Sequence, residues 1–325
     1  MKTTRSTARV PDPIRALSRQ SPLPWQTPKS VEDDTQAPQR IAAIRASPNY
    51  LRADEDPAFL ASDEMRGVRL QMEFAKAETL LEQHHVKHTI VVFGSTRICE
   101  PAAAGRAVRS AKAALLEDPE NDALLAQLKI AERIFAKAAY YEVARAFGRL
   151  VSDENRKAHH DHTFVITGGG PGIMEAANRG SFEAAAKTIG LNISLPHEQY
   201  PNPYVSPELC FTFRYFALRK LHFLLRAKAL VTFPGGYGTL DELFEVLALI
   251  QTRKIKPMPV ILVGEEYWRK LINFDFLVEE GTIDREDRDL FWFAETAEDI
   301  WGDIQHWHKT YGTSANGAES PLPDA

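Results

Sequence analysis

The amino-acid sequence predicts an α/β fold, a doubly wound parallel sheet in a single main domain. Three observations predict it. Short runs of β-branched and aromatic residues recur along the chain, each closed by Gly or Pro. Longer stretches with helical spacing of apolar residues separate these runs. The runs are also apolar throughout, not alternating, as strands covered on both faces are.

The elements follow in order. Residues 1–60 hold eight of the twenty prolines and little apolar periodicity. Such a composition does not offset the entropy of ordering a chain, so this stretch reads as a flexible N-terminal extension. The main domain is expected over residues 61–311. Met65, Leu70, Met72, Phe74, Leu80 and Leu81 suggest a helix within residues 57–84 that packs onto it. Residues 89–93, 163–167, 229–233 and 259–263 are the clearest strands; 189–195, 209–213 and 290–293 are weaker ones. Helical patterns cover 123–151, 173–188, 215–227, 240–253 and 267–279. A charged, Ala-rich stretch at 100–128 reads as an extra helix or an insertion. Residues 312–325, rich in Gly, Ser, Pro and Ala, read as a disordered tail. Repeated β-then-α units imply right-handed crossovers, helices on both faces and a Rossmann-like sheet.

Composition excludes several classes of function. A net charge of −5 opposes general nucleic-acid binding, which needs a basic field. Cys99 and Cys210 make no disulfide framework, so a cytoplasmic location is expected. Nothing approaches the roughly 20 apolar residues that span a bilayer; the best run, 221–233, is interrupted by Arg226 and Lys228. The basic first thirty residues lack the apolar stretch of a secretory signal. His222 and the other histidines show no metal-ligand spacing, and no metal or cofactor is expected.

Ligands of such sheets bind beyond the carboxyl ends of the strands, and three of the strands end in glycine turns. Gly94-Ser95-Thr96 offers small residues, two hydroxyls and free amides, though a plain strand-to-helix turn reads the same way. Gly168-Gly169-Gly170-Pro171-Gly172-Ile173-Met174 lets backbone approach an anion at a helix start. It fails as a dinucleotide fingerprint, because Ile173 stands where the last glycine of G-x-G-x-x-G belongs. The third turn is Pro234-Gly235-Gly236-Tyr237-Gly238-Thr239. Its amides, the Thr239 hydroxyl and the following helix dipole suit a phosphate. No G-K-[ST] follows the glycines, so it is not a nucleoside-triphosphate P-loop. Glu242 has two readings: the end of a Thr239-x-x-Glu242 capping box, or a carboxylate one turn from a phosphate and within reach of a bound sugar. Asp241 reads as a first-turn acid that complements the dipole. Arg219-Lys220, on an apolar helix just before the strand that feeds this turn, reads either as solvated surface or as part of the site.

With these residues in place, the sequence resembles the Lonely Guy family, phosphoribohydrolases that release cytokinin bases from riboside monophosphates. The resemblance rests on P-G-G-x-G-T-x-x-E at 234–242, the triple-glycine turn at 168–174, and Arg219-Lys220 at the family's spacing. Gly190-Leu191-Asn192-Ile193, residues 195–199, Pro201-Asn202-Pro203-Tyr204 and residues 250–255 look like its longer bacterial branch. It covers roughly residues 85–310. By that resemblance Arg219 and Glu242 are the catalytic pair. Gly235, Gly236, Gly238 and Thr239 hold the 5′-phosphate, with Gly94, Ser95, Gly169, Gly170, Met174 and Lys220 completing the substrate site. Plant-type members have Met-His-Glu where this chain has Phe216-Ala217-Leu218, and one more residue in the triple-glycine turn. Both departures touch the base pocket. Relatives often carry the label "lysine decarboxylase", but no lysine here sits in a recognisable pyridoxal-phosphate context.

The function expected is hydrolysis of the N-glycosidic bond of AMP or an N6-substituted AMP, giving the base and ribose 5-phosphate. The alternative is a carrier that binds a nucleotide or phosphorylated cofactor without hydrolysis. The resemblance also implies a homo-oligomer, with a nucleoside monophosphate as small-molecule partner and no membrane.

Overall fold

A computed structural model describes residues 21–157, 163–197 and 200–311. The chain divides into two compact units, Met1–Gly67 and Val68–Ala325. The first holds short helices, α1 (Ala37–Arg45) and α2 (Pro57–Ala61), and 3-10 turns at Pro24–Gln26, Pro48–Tyr50 and Ala53–Glu55. Proline opens several of them, as its fixed φ allows at a helix start. Asp56 caps α2 by accepting the Phe59 amide at 3.0 Å. Residues 1–20 of the stretch read as a flexible extension, Glu198-Gln199, and the tail from 312 lie outside the described residues.

The second unit is built on seven strands: β1 (His88–Phe93), β2 (Thr163–Thr167), β3 (Ile189–Ile193), β4 (Cys210–Phe213), β5 (Ala227–Thr232), β6 (Val260–Val263) and β7 (Trp292–Ala294). They lie in the order β4-β3-β2-β1-β5-β6-β7, every neighbouring pair parallel. The chain runs outward from β1 to β4, then returns to β5 beside β1 and proceeds the other way. The sheet is therefore doubly wound, and its order reverses between β1 and β5. That is where a crevice opens at the carboxyl ends.

The helices are α3 (Arg66–Gln83), α4 (Pro101–Glu117), α5 (Asp122–Ala136), α6 (Ala139–Lys157), α7 (Ile173–Glu183), α8 (Phe216–Leu224), α9 (Tyr237–Gln251), α10 (Glu265–Leu271), α11 (Phe274–Glu279) and α12 (Ala297–Thr310). Strand periodicity divides the core into two layers. Val91, Phe93 and Leu230 face a cluster with Leu81, Phe223, Leu243, Val246 and Trp268. Ile90, Val92, Ala229 and Val231 face Tyr141, Phe147, Ile173, Ile300 and Ile304 on the other side. All six residues of β1 and of β5 are buried, so the pair that holds the site is also central to the core.

Two of the helices read from the sequence are divided in the structure. The helix read at 123–151 is two helices, α5 and α6, separated at Lys137-Ala138. The one read at 267–279 divides into α10 and α11, where Asn273 accepts the Phe276 amide at 3.1 Å and starts a new helix. The stretch at 100–128 is α4 followed by the first turns of α5, a helical pair between β1 and α6. No helix among the described residues is long and apolar enough to cross a membrane.

Candidate functional site

A cavity of about 660 Å³ lies over the carboxyl ends of β1 and β5. The volume is within the range of about 300–1,000 Å³ usual for small-molecule sites. Its floor is made by the glycine turns, and backbone bonds tie these together. The Ser95 amide donates to the Pro234 carbonyl at 2.9 Å, and the Ile173 amide donates to the Ser95 carbonyl at 3.1 Å. Gly172 makes that second approach at φ 75°; a Cβ there would lie 2.3 Å from the Ser95 oxygen. Only glycine fits both the angle and the space.

The turn at 234–239 folds back on itself. A Cβ on Gly235 would fall 2.1 Å from the Thr239 hydroxyl oxygen, whereas Gly236 and Gly238 have no protein atom within 4 Å of that position. The Tyr267 hydroxyl donates to the Gly235 carbonyl at 2.6 Å and fixes the turn from α10. Helix α9 begins at Tyr237 with Gly236 as its N-cap, and its first main-chain bond runs from the Leu240 amide to the Gly236 carbonyl. The amides of Tyr237, Gly238 and Thr239 precede that bond, so they present donors and the positive end of the helix dipole to the cavity.

This helix start decides one alternative that the sequence leaves open. Thr239 is the third residue of α9, not its cap, so no capping box engages Glu242. Glu242 lies almost a turn further in, 7% exposed, on the cavity wall. Burial pushes its carboxyl up to about 7, against the opposing pull of Arg219 and Lys220.

Arg219 enters the same cavity from α8. Its Nε donates to the carbonyl of Leu191, in the middle of β3, at 2.8 Å. Its guanidinium lies 5.3 Å from the Phe223 ring centre, and Phe223 packs edge-on against Phe93 at 4.7 Å. Burial pulls the guanidinium below its ordinary value while Glu242 and Asp241 pull it back up, and an arginine stays charged throughout.

The cavity gathers Gly94, Ser95, Met174, Arg219, Gly235, Gly236, Gly238, Thr239 and Glu242. Three residues read into the site are placed elsewhere. Lys220 pairs with Asp241 at 2.8 Å and Glu245 at 3.1 Å, joining α8 to α9. Gly169 (φ 70°) packs on the Asn192 amide, and the Gly170 carbonyl accepts from Asn202 at 3.0 Å. Both shape the second turn beneath the cavity. Phe216, at one of the departures from the plant-type pattern, lines the cavity; the sequence reading missed Arg97, Ile98 and Tyr267, and it missed Ile130, Arg133, Ile134 and Lys137 from α5 and its end. No motif marks these. Their separation in sequence hides them.

Comparison with known proteins agrees with the motifs. The family model described as "Possible lysine decarboxylase" matches residues 174–304, which include α8, the third turn and α9. A rice (Oryza sativa subsp. japonica) protein described as "Probable cytokinin riboside 5'-monophosphate phosphoribohydrolase LOG4" is 30% identical over 139 residues, 42% of this chain and 59% of its own length. The chain resembles the Lonely Guy family. An Arabidopsis thaliana cytokinin riboside 5'-monophosphate phosphoribohydrolase, LOG3, is 29% identical over 169 residues, 50% of this chain and 74% of its own. The chain thus spans between about half and three quarters of these Lonely Guy relatives. Among solved structures, the Moco carrier protein of Chlamydomonas reinhardtii matches 69% of this chain and 99% of its own, at 18% identity and a TM-score of 0.40.

Proposed function

We propose that this chain hydrolyses the N-glycosidic bond of AMP or an N6-substituted AMP, releasing the base and ribose 5-phosphate. The observation that carries the reading is Glu242: a buried carboxylate with no capping role, on one cavity wall with Arg219 and the open amides of α9. In this reading the Tyr237, Gly238 and Thr239 amides and the Thr239 hydroxyl hold the 5′-phosphate. Remote binding energy then presents the anomeric carbon to Glu242. Cleavage of such bonds passes through an oxocarbenium-like state. The ionised Glu242 stabilises that positive charge and orients the attacking water; the water's oxygen bonds to the sugar carbon as its proton passes to Glu242, and the base leaves with the bond's electron pair and takes a proton from solvent. Arg219, anchored to Leu191, directs its remaining N–H donors at the substrate's phosphate or ribose hydroxyls and favours the ionised form of Glu242.

The test is a panel of nucleoside monophosphates assayed for free base by chromatography. Base release from AMP or an N6-substituted AMP, abolished in Glu242→Gln while nucleotide binding persists, supports the reading. Near-normal turnover in that variant overturns it. Tight binding without base release from any member of the panel identifies a carrier instead. The same reading includes a homo-oligomer; light scattering that returns the monomer mass overturns that part.

A further inference from the structure

We infer that the C-terminal end of α5 and the loop after β1 form a cationic wall of the cavity, and that this wall recognises a nucleotide carrying a second phosphate besides the one held at the α9 N-terminus. The inference rests on the proposed nucleotide site and names its ligand class more closely. Arg133 and Lys137, from the last turn of α5 and the residue after it, line the cavity together with Arg97 from the loop after β1. Among the described residues none of the three has a carboxylate partner at ion-pair distance. Lys137 donates to the Arg133 carbonyl at 3.3 Å, and Glu266, whose charge it feels beyond ion-pair distance, is already paired with Lys270. The acid next to Arg133, Glu132, is held on the α4 side by Lys112 at 3.4 Å.

Charge balance gives these cations a purpose. The cradle at Gly236–Thr239 already supplies amides, a hydroxyl and a helix dipole for one phosphate. Arg219 faces Glu242, and Lys220 is engaged by Asp241 and Glu245. Three further positive charges then stand on one cavity in a chain of net charge −5. Elsewhere in this unit several basic side chains are drawn into carboxylate pairs, as Arg145, Arg149 and Arg179 are with Glu183. A cluster left without such partners at a cavity rim is the arrangement that takes up an anion, and arginine suits phosphate by presenting paired donors.

The experiment uses the full-length Glu242→Gln protein, so that binding is read without turnover. AMP, ADP and adenosine 3′,5′-bisphosphate are titrated by calorimetry at low and at physiological ionic strength. One of the two-phosphate ligands is expected to bind about tenfold tighter than AMP at low salt, an advantage that shrinks as salt rises. In the Arg133→Ala/Lys137→Ala background that advantage is expected to fall below about twofold. ADP preferred over the bisphosphate places the second phosphate next to the first; the reverse order places it across the ribose. Equal affinities for all three ligands, or an advantage unchanged in the double variant, overturn the inference. Base release is scored separately in the wild-type chain. Its absence with the binding difference intact removes the hydrolase reading and leaves this one, and its presence with equal affinities does the opposite.

Discussion

The Arg219 Nε donates to the Leu191 main-chain carbonyl at 2.8 Å, so the site's arginine is anchored to the middle of β3 and not to a neighbouring acid. One donor of the guanidinium fork is used for position, and the side chain lines the cavity with further donors to spare. Lysine has a single ammonium and cannot serve both purposes. Arg219→Lys is therefore expected to lower kcat/KM for base release by about 10²–10³ while the circular dichroism spectrum stays unchanged. Activity within about threefold of the parent would show that Arg219 does not act on the substrate.

Glu242 sets the expected pH behaviour. Its carboxyl is held near 7 by burial, and the mechanism needs it ionised. The kcat/KM profile is expected to climb through about pH 7 and level above it. Stability runs the other way. A carboxyl whose folded value lies above its unfolded value binds more protons when folded, so its contribution is full below about pH 4.5 and is lost as pH rises through about 7. Glu242→Gln removes a buried charge, so it is expected to be more stable than the parent at pH 8, by on the order of 1–3 kcal/mol. The gain is expected to vanish near pH 5. Denaturant melts at the two pH values measure it, and equal shifts at both would contradict the assignment.

The same residue shows how far the sequence was legible. The sheet was readable because β1 and β5 are covered on both faces, which requires runs such as Ile90-Val91-Val92-Phe93 with no polar alternation. Glu242 was ambiguous because Thr239-x-x-Glu242 has the spacing of a capping box, and only the helix start at Tyr237 excludes that. The break between α5 and α6 has no Gly or Pro to announce it; Lys137 and Ala138 keep a pattern that continues the helix. For the same reason the contribution of Arg133 and Lys137 to the cavity was invisible, since it depends on where α5 is carried by its packing.

Glycines in the third turn separate folding from binding. A Cβ on Gly235 meets the Thr239 hydroxyl at 2.1 Å, so Gly235→Ala is expected to distort the turn and cost both stability and activity. Gly238 has open space around its Cβ position and lies inside α9. There alanine is the better helix former, by about 1 kcal/mol. Gly238→Ala is expected to raise the melting temperature while weakening AMP binding, because the open space is where the phosphate would sit against the backbone. Unchanged affinity in this variant would move the phosphate away from the α9 N-terminus.

Tyr267 offers the sharpest check on the turn, because it lines the cavity while its hydroxyl is bound to the loop. Its hydroxyl donates to the Gly235 carbonyl at 2.6 Å across 32 residues of sequence, and burial raises the phenol's own proton affinity, so it remains a donor across the working pH range. Tyr267→Phe keeps the ring, which packs edge-on against Trp268 at 5.5 Å, and deletes only that bond. The loss is about 0.5–1.5 kcal/mol, too little to unfold the domain but enough to loosen the turn that aims three amides at the phosphate. KM for AMP is expected to rise about three- to tenfold with kcat within about twofold, since ground state and transition state lose the same phosphate anchor. A fall in kcat at unchanged KM would mean instead that the hydroxyl reaches the reacting sugar.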